Sequence, residues 1–272
     1  IGNFQKKYFQ KSYTMIGVLH LMNKKLLENE LKHLTVDIKD KIIFSAIKGI
    51  VPESSLIVGE HFHVNYNIPF ENIGVITGPC HAEEVALERL SYLTIACADT
   101  EKAKLVAKHL SSDYIKTKIS DDIIGTEYAA MLKNIYAIAA GIAHGLGYGD
   151  NFQSVLMSNS IREMKRFIKR VHKMKRNIND SAYLGDLLVT GYSVFSRNRM
   201  FGNMIGKGYT VKSAMMEMKM VAEGYYATNS AHLIVSKHKN KSKTPILNAV
   251  YEVLYENKSP KKVFKELTEK LD

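Results

Sequence analysis

The sequence lacks the features that mark several common protein classes. Two cysteines, Cys80 and Cys97, in 272 residues are too few for a disulfide framework, and their spacing is not that of a metal-ligand motif. A disulfide-stapled secreted scaffold is excluded, and a reducing, cytosolic setting is expected. The longest apolar, charge-free run, Asn134 to Gly149, has 16 residues, short of the ~20 needed to span a bilayer. No G-x-G-x-x-G follows a strand-like run and no P-loop occurs; the glycines at 145, 147 and 149 close a helical pattern, the wrong context for a phosphate loop. Internal repeats and low-complexity tracts are also missing. Acidic residues are in deficit, 27 against 38 Lys and Arg, for a formal net charge of +11. Such a balance favours an anionic partner, whether nucleic acid, a membrane surface or a phosphorylated metabolite, without choosing among them.

A chain of this length buries roughly 70–75% of its unfolded surface, which permits one large domain or two modest ones. It opens on Ile1, not methionine, as a fragment or a processed chain would. Lys6, Lys7 and Lys11 precede the apolar run Met15 to Met22, the order found in a signal peptide. However, His20 interrupts the run, Lys24 and Lys25 follow, and no small-residue cleavage site appears, so no secretion signal is expected.

Short apolar runs of buried-strand length occur at 42–46, 73–77 and 93–97, with a fourth at 114–118. Helical patterns lie between them at 54–61, 82–88 and 100–110, and this alternation predicts an open α/β sheet with crossover helices. After Asp121 the strand signals stop. Ala129, Leu132, Ile135, Tyr136, Ala139, Ile142, Ala143 and Leu146 recur at helical spacing, and Asp150 or Asn151 caps a second helix running to about Lys175. Shorter helices are expected near 185–190, 197–205, 211–217, 222–236, 245–255 and 261–270. The chain therefore reads as an α/β part, residues 1–120, followed by an all-helical part, 121–272.

Four places could carry chemistry. Lys133, Ala137, Ala140, Gly141 and His144 fall on one helix face; small residues around a lysine leave room for a ligand, or equally mark close helix packing. Asn134 beside it is similarly open. Asp186, set among Leu184, Leu187 and Leu188, needs a cationic or donor partner if buried, unless it simply caps a helix. Ser196 is a good N-cap, which would put Arg197 and Asn198 in a first helical turn, where free N–H groups and the helix dipole favour an anion. Arg197 adds a planar fork suited to phosphate oxygens, although an exposed polar loop fits the same tetrapeptide. Finally, Arg162, Lys165, Arg166, Lys169, Arg170 and Lys173 form a basic helix face, followed by Lys175 and Arg176, with Ile161, Met164, Ile168 and Val171 on its buried side. It reads as a solvated surface or as a nucleic-acid contact spanning 161–176, with no aromatic interleaving to favour the latter.

The chain resembles the bacterial-type NAD(P)-dependent glycerol-3-phosphate dehydrogenases in a series of ordered segments. These are Ile47-Lys48-Gly49-Ile50, Thr77-Gly78-Pro79-Cys80-His81-Ala82-Glu83-Glu84-Val85, Ile124-Gly125 through Leu132-Lys133-Asn134 to Gly147-Tyr148-Gly149-Asp150, Leu184-Gly185-Asp186-Leu187, Ser196-Arg197-Asn198-Arg199-Met200-Phe201-Gly202 and Val221-Ala222-Glu223-Gly224. The likeness runs from about residue 35 to the C-terminus, while residues 1–34 match the family poorly.

That resemblance implies an incomplete Rossmann-like α/β domain followed by an all-α substrate domain. It also implies hydride exchange between NAD or NADP and dihydroxyacetone phosphate, giving sn-glycerol 3-phosphate for glycerophospholipid synthesis. Lys133 stands at the family's general acid/base. Lys48, Gly78, Cys80, Asn134, Asp186, Thr190, Ser196, Arg197 and Asn198 match substrate-binding positions, and Lys48, Ala82, Arg197, Val221 and Glu223 match cofactor-binding ones. No metal, nucleic-acid partner or membrane span is implied; a homodimer in the cytoplasm is. Cys80 and His81 depart from the serine and phenylalanine frequent in the family, and a thiol is the weaker hydrogen-bond donor. The family's glycine loop, which holds the cofactor pyrophosphate and whose following acidic or basic residue separates NAD from NADP, is missing. The chain therefore reads as a truncated member, either active or catalytically silent.

Overall fold

A computed structural model of the chain describes residues 37–51, 54, 56–218, 222–237 and 243–272. The signal-like stretch Lys6 to Met22 and Val221 lie outside the described residues. Two compact units divide between Tyr128 and Ala129.

The first unit is built on a four-stranded sheet, in the order β1 (Ile43–Ser45), β4 (Ile73–Thr77), β5 (Ser91–Cys97) and β6 (Ile115–Ser120). A two-stranded hairpin, β2 (Ile50–Val51) and β3 (Leu56–Ile57), stands beside it and is too short for periodicity to reveal. Side chains alternate across the sheet. Phe44, Ile95 and Cys97 pack with Ala103 and Ala107 of α3 (Thr100–Leu110), whereas Ile43 and Ile73 pack with Val58 and Phe62 of α1 (Val58–Tyr66). Each of the Phe, Ile and Val side chains among these, fully buried, contributes ~1.5–3 kcal/mol over leaving it in water. Asp99 caps α3 by accepting from the Glu101 and Lys102 N–H groups.

Two expectations fail in this unit. The helix expected at 54–61 starts only at Val58, after strand β3, and runs on to Tyr66. A sheet linked throughout by crossover helices would be parallel, yet only β1–β4 and β5–β6 are; β4 and β5 run antiparallel, with Thr77 opposite Thr94. The helix expected at 82–88 is the single turn α2 (Ala82–Val85), which cannot carry the chain back along the sheet, so the strand returns alongside its neighbour.

The helical unit follows, and no strand among the described residues comes after Ser120. Its central element is α4 (Ile123–Gly145), which begins within the first unit. Asp122 caps α4 by accepting from the Gly125 N–H at 3.0 Å. Residues 129–143 are buried without interruption, as expected of a helix that is apolar all round. Around it lie α5 (Asp150–Val171), a π turn Ser181–Gly185, α6 (Asp186–Tyr192), α7 (Arg197–Gly206), α8 (Val211–Glu217), α9 (Glu223–Ser236), α10 (Pro245–Tyr255) and α11 (Pro260–Thr268). Each of the shorter helices expected from the sequence is present within two residues of its predicted limits.

Two fully buried carboxylates, neither anticipated, sit at helix N-termini. Glu127 accepts from the Gly59 N–H of α1, at 3.0 Å to Oε2. Glu163 of α5 takes the Ile246 and Leu247 N–H groups of α10 at 2.9 and 3.0 Å, supplying partners that the first turn of a helix lacks. Burial outweighs these bonds and pushes the carboxyl of Glu127 up to about 8 and that of Glu163 up to about 7. A carboxyl whose pKa is higher folded than unfolded holds its proton longer in the folded state. Stability therefore falls as pH rises from the ordinary value of 4.5 through the folded one. Melting temperature is expected to decline between about pH 5 and 8, with a shallower decline in Glu163→Gln; parallel slopes in the two proteins would contradict this.

Candidate active site

In the helical unit, Lys133 projects from α4 and is 6% exposed. Its Nζ donates to Oδ1 of Asp186, the first residue of α6, which is 1% exposed. Asp186 is thus the partner of Lys133; it opens a helix, but its side chain does not cap it, so of the two readings left open by the sequence the cationic partner holds. The second carboxylate oxygen, Oδ2, is buried with no hydrogen-bond partner, a costly state that a ligand hydroxyl would relieve. Thr190 is buried, and its hydroxyl donates to the Asp186 carbonyl at 2.6 Å.

The α7 N-terminus forms as expected. Ser196 caps it by accepting from the Arg199 N–H at 3.3 Å. Arg197 is the first helical residue and half-buried. Asn198 accepts the Gly224 N–H of α9 at 2.9 Å through Oδ1. A β-carbon at Gly224 would lie 2.6 Å from the Asn134 carbonyl oxygen. A continuous run of contacts therefore leads from Asp186 through Lys133 and Asn134 to Gly224 and Asn198, with Arg197 and Glu223 at its end. Ser196→Ala removes the α7 cap, with an expected cost of ~1 kcal/mol visible as a lower melting temperature.

The small-residue face beyond Lys133 is filled by protein. A β-carbon on Gly141 would stand 2.0 Å from the Arg199 carbonyl oxygen, and one on Gly145 2.4 Å from that of Asn203. In return, β-carbons on Gly202 and Gly206 of α7 would stand 2.1 and 2.3 Å from the Ile138 and Ile142 carbonyl oxygens. Close packing of α4 on α7 is what this face provides, and His144 at its end is exposed.

The remaining candidates belong to the first unit. Because β1 and β4 are adjacent and parallel, the segments leaving their C-terminal ends start from the same edge of the sheet, where ligands of open α/β sheets bind. The first carries half-buried Lys48 and then Gly49 at φ 100°. The second carries Gly78 at φ 118°, half-buried Cys80, and Ala82, exposed at the start of α2. A β-carbon at Gly78 would meet the Tyr92 carbonyl oxygen at 2.7 Å, so both its conformation and its space require glycine.

On the basic helix α5, Lys165, Arg166 and Lys169 are exposed and Arg162 pairs with Asp272. Phe167, on the same helix, is buried. Ile161 and Val171, expected to be buried, are half-buried at its margins. Among the described residues, no cluster of His, Cys, Asp or Glu could hold a metal, and no helix is long and apolar enough to cross a membrane.

An α/β unit with its candidate ligand loops at the ends of parallel strands, joined to a helical unit with a buried Lys–Asp pair, defines a two-domain protein of the dinucleotide-binding type. Comparison with known proteins gives the particular family. Residues 122–265 match the NAD-dependent glycerol-3-phosphate dehydrogenase C-terminus and residues 4–103 the corresponding N-terminus; the chain belongs to the NAD-dependent glycerol-3-phosphate dehydrogenase family. The second match begins at residue 4, so the likeness reaches into residues 1–34, which the sequence reading had set apart.

Among its relatives, glycerol-3-phosphate dehydrogenase [NAD(P)+] of Oceanobacillus iheyensis is 38% identical over 225 residues, 83% of this chain and 65% of the relative. The Staphylococcus aureus enzyme of the same name is 39% identical over 198 residues, 73% of this chain and 59% of the relative. The chain thus spans less than two thirds of the length of these relatives. Among solved structures, glycerol-3-phosphate dehydrogenase from Coxiella burnetii superposes with a TM-score of 0.84 at 27% identity, covering 95% of this chain and 77% of that one. The Plasmodium falciparum structure shares the fold, with a TM-score of 0.78 at 21% identity over 89% of this chain and 70% of its own.

Proposed function

We propose that the chain interconverts dihydroxyacetone phosphate and sn-glycerol 3-phosphate, with Lys133 as the proton donor and acceptor. The observation that carries this reading is the buried Lys133–Asp186 pair, whose unpartnered Asp186 Oδ2 calls for a hydroxyl donor. A nicotinamide cofactor, NADH or NADPH, supplies the hydride that reaches the ketone carbon. As that carbon gains hydride, its oxygen gains negative charge, which the Lys133 ammonium stabilises and then protonates. In the reverse direction the neutral amine takes the proton from the alcohol. Asp186 fixes the ammonium through Oδ1 and holds a substrate hydroxyl through Oδ2. The phosphate lies at the α7 N-terminus, where free N–H groups and the Arg197 fork meet it. By family likeness, Cys80, on the loop after β4, and Asn134 would also contact the substrate. By family likeness, Lys48, Ala82, Arg197, Val221 and Glu223 are the residues that would hold the cofactor. The loops after β1 and β4 suit that role, since their left-handed glycines let backbone approach a ligand closely. A cytosolic enzyme supplying glycerophospholipid synthesis fits the family likeness.

The test is oxidation of NADH or NADPH by the purified chain with dihydroxyacetone phosphate. Turnover that saturates in both supports the reading. Failure of the folded chain to oxidise either cofactor favours the reading of a catalytically silent homologue.

A further inference from the structure

We infer that the basic face of α5, continued by Lys173, Lys175 and Lys243, is a docking surface for a bilayer of acidic phospholipids. It goes beyond the proposed function and uses none of its residues. The positive charge of the chain is not spread evenly. Residues 129–272 hold 23 Lys and Arg against 11 Asp and Glu, whereas residues 1–128 hold 15 against 16. Eight of those 23 cations fall between Arg162 and Arg176. Such asymmetry between the two parts of a chain marks the basic part as the one that meets an anionic surface.

Helix geometry gathers these cations on one side. With 3.6 residues per turn, Arg162, Lys165, Arg166, Lys169 and Arg170 share an arc of roughly 140° on α5. Glu163, Met164, Phe167 and Ile168 take the other side and are buried. The only carboxylate between residues 151 and 179 is therefore turned inward, where it holds the α10 N-terminus. Arg162 pairs with Asp272, and Arg176 donates to the His172 carbonyl. Lys165, Lys169, Lys173 and Lys175 are exposed and make no ion pair among the described residues. Exposed Lys243 stands three residues before Ile246, whose N–H reaches Glu163 of α5 at 2.9 Å, so it adds to the same cluster. Like charges four residues apart, as in Lys165 and Lys169, destabilise a helix, and an anionic surface reverses that repulsion.

Two observations favour a bilayer over nucleic acid. Phe167 is the only Phe, Tyr or Trp between residues 153 and 182, and it is buried, so this stretch offers no exposed ring of those types for a base to stack on. Val171, Met174 and Ile178 are half-buried among the last of the cations. Apolar side chains there fit between lipid headgroups and gain nothing from a phosphodiester backbone. Since the apolar side of α5 belongs to the protein core, the helix can lie against a membrane but cannot roll into it. Attachment is then electrostatic, reversible and sensitive to salt.

The test is co-sedimentation of the purified chain with phosphatidylcholine vesicles, with and without about one third phosphatidylglycerol. Binding is expected only to the acidic vesicles, and it should weaken ~10-fold or more between ~50 and ~200 mM salt. Each Lys or Arg at such a surface is worth ~5-fold in partitioning, so Lys165→Gln/Lys169→Gln/Lys173→Gln should bind ~100-fold more weakly. All three side chains are exposed, and the melting temperature should stay within about 2 °C of the unaltered chain. Lys104→Gln/Lys108→Gln/Lys116→Gln removes the same charge from exposed positions of the first unit and should change binding by less than about threefold. No binding to acidic vesicles at ~50 mM salt overturns the inference. So does an equal loss in the two triple variants, which would reduce the effect to net charge. A chain that prefers single-stranded RNA or duplex DNA to acidic vesicles at equal phosphate concentration overturns it in favour of nucleic acid. None of these outcomes depends on whether the chain turns over dihydroxyacetone phosphate, so the proposed function and the docking surface can fail separately.

Discussion

Lys133→Ala is expected to lower turnover by ~10²–10⁴, the usual worth of a positioned proton donor, equivalent to ~3–5 kcal/mol of barrier. The loss should fall on kcat, because the ammonium meets charge that develops only as the ketone oxygen becomes an alkoxide. A second effect has to be separated from it. Lys133 and Asp186 are 6% and 1% exposed, and removing one partner of a buried pair leaves the other charge uncompensated, at ~3–5 kcal/mol. Turnover could therefore fall merely because less protein is folded. The double variant Lys133→Met/Asp186→Leu resolves this, since two apolar residues of similar size can replace a buried pair at little cost. Its melting temperature should recover towards that of the unaltered chain while its turnover stays as low as that of Lys133→Ala. Turnover that recovers together with stability would remove Lys133 from the chemistry and leave the pair a structural one.

The site was legible in the sequence to different degrees, and the reasons are physical. Ser196 and Arg197 could be placed because an N-cap is a local rule, readable from adjacent residues. Asp186 could be assigned a need, a cationic or donor partner, but not the partner itself, since Lys133 lies 53 residues away. Thr190 is a different case. Family likeness puts it among the substrate residues, while its hydroxyl donates to the carbonyl four residues earlier, a bond open to any helical threonine. Glu127 and Glu163 passed unnoticed because a glutamate in a helical pattern reads as solvated. What buries them is the need of another helix's first turn for acceptors, and only Pro245, at the start of α10, hinted at where such a turn lay. The direction of β5 was misjudged because periodicity reports that a strand is buried, not which way its neighbour runs. The bond between Asn198 and α9 was out of reach for the same reason as the Lys–Asp pair: it is set by packing across long separations in the chain.

Gly202→Ala is expected to destabilise the helical unit by more than ~4 kcal/mol, well beyond the ~1 kcal/mol common for a single substitution. Alanine is normally the better helix residue, favoured over glycine by up to ~1 kcal/mol in a helix interior, so propensity alone predicts the opposite sign. Packing decides the outcome. The added carbon would lie 2.1 Å from the Ile138 carbonyl oxygen and 2.9 Å from the Ile142 nitrogen. Both atoms are backbone in the middle of a helix buried from residue 129 to 143, so no side chain can turn aside to make room. Gly206, Gly141 and Gly145 face equally close backbone across the same seam, so α7 cannot slide along α4 to escape. At ~2–4 °C per kcal/mol for a protein of this size, the melting temperature should drop by roughly 8–16 °C. The seam also governs function in the proposed reading, because it sets where Arg197 and Asn198 stand relative to Lys133. Any folded Gly202→Ala protein should therefore show a raised KM for dihydroxyacetone phosphate. A variant that melts within about 2 °C of the unaltered chain would show that the two helices can part at little cost, and would refute the claim that glycine backbone contact fixes the phosphate end of the site.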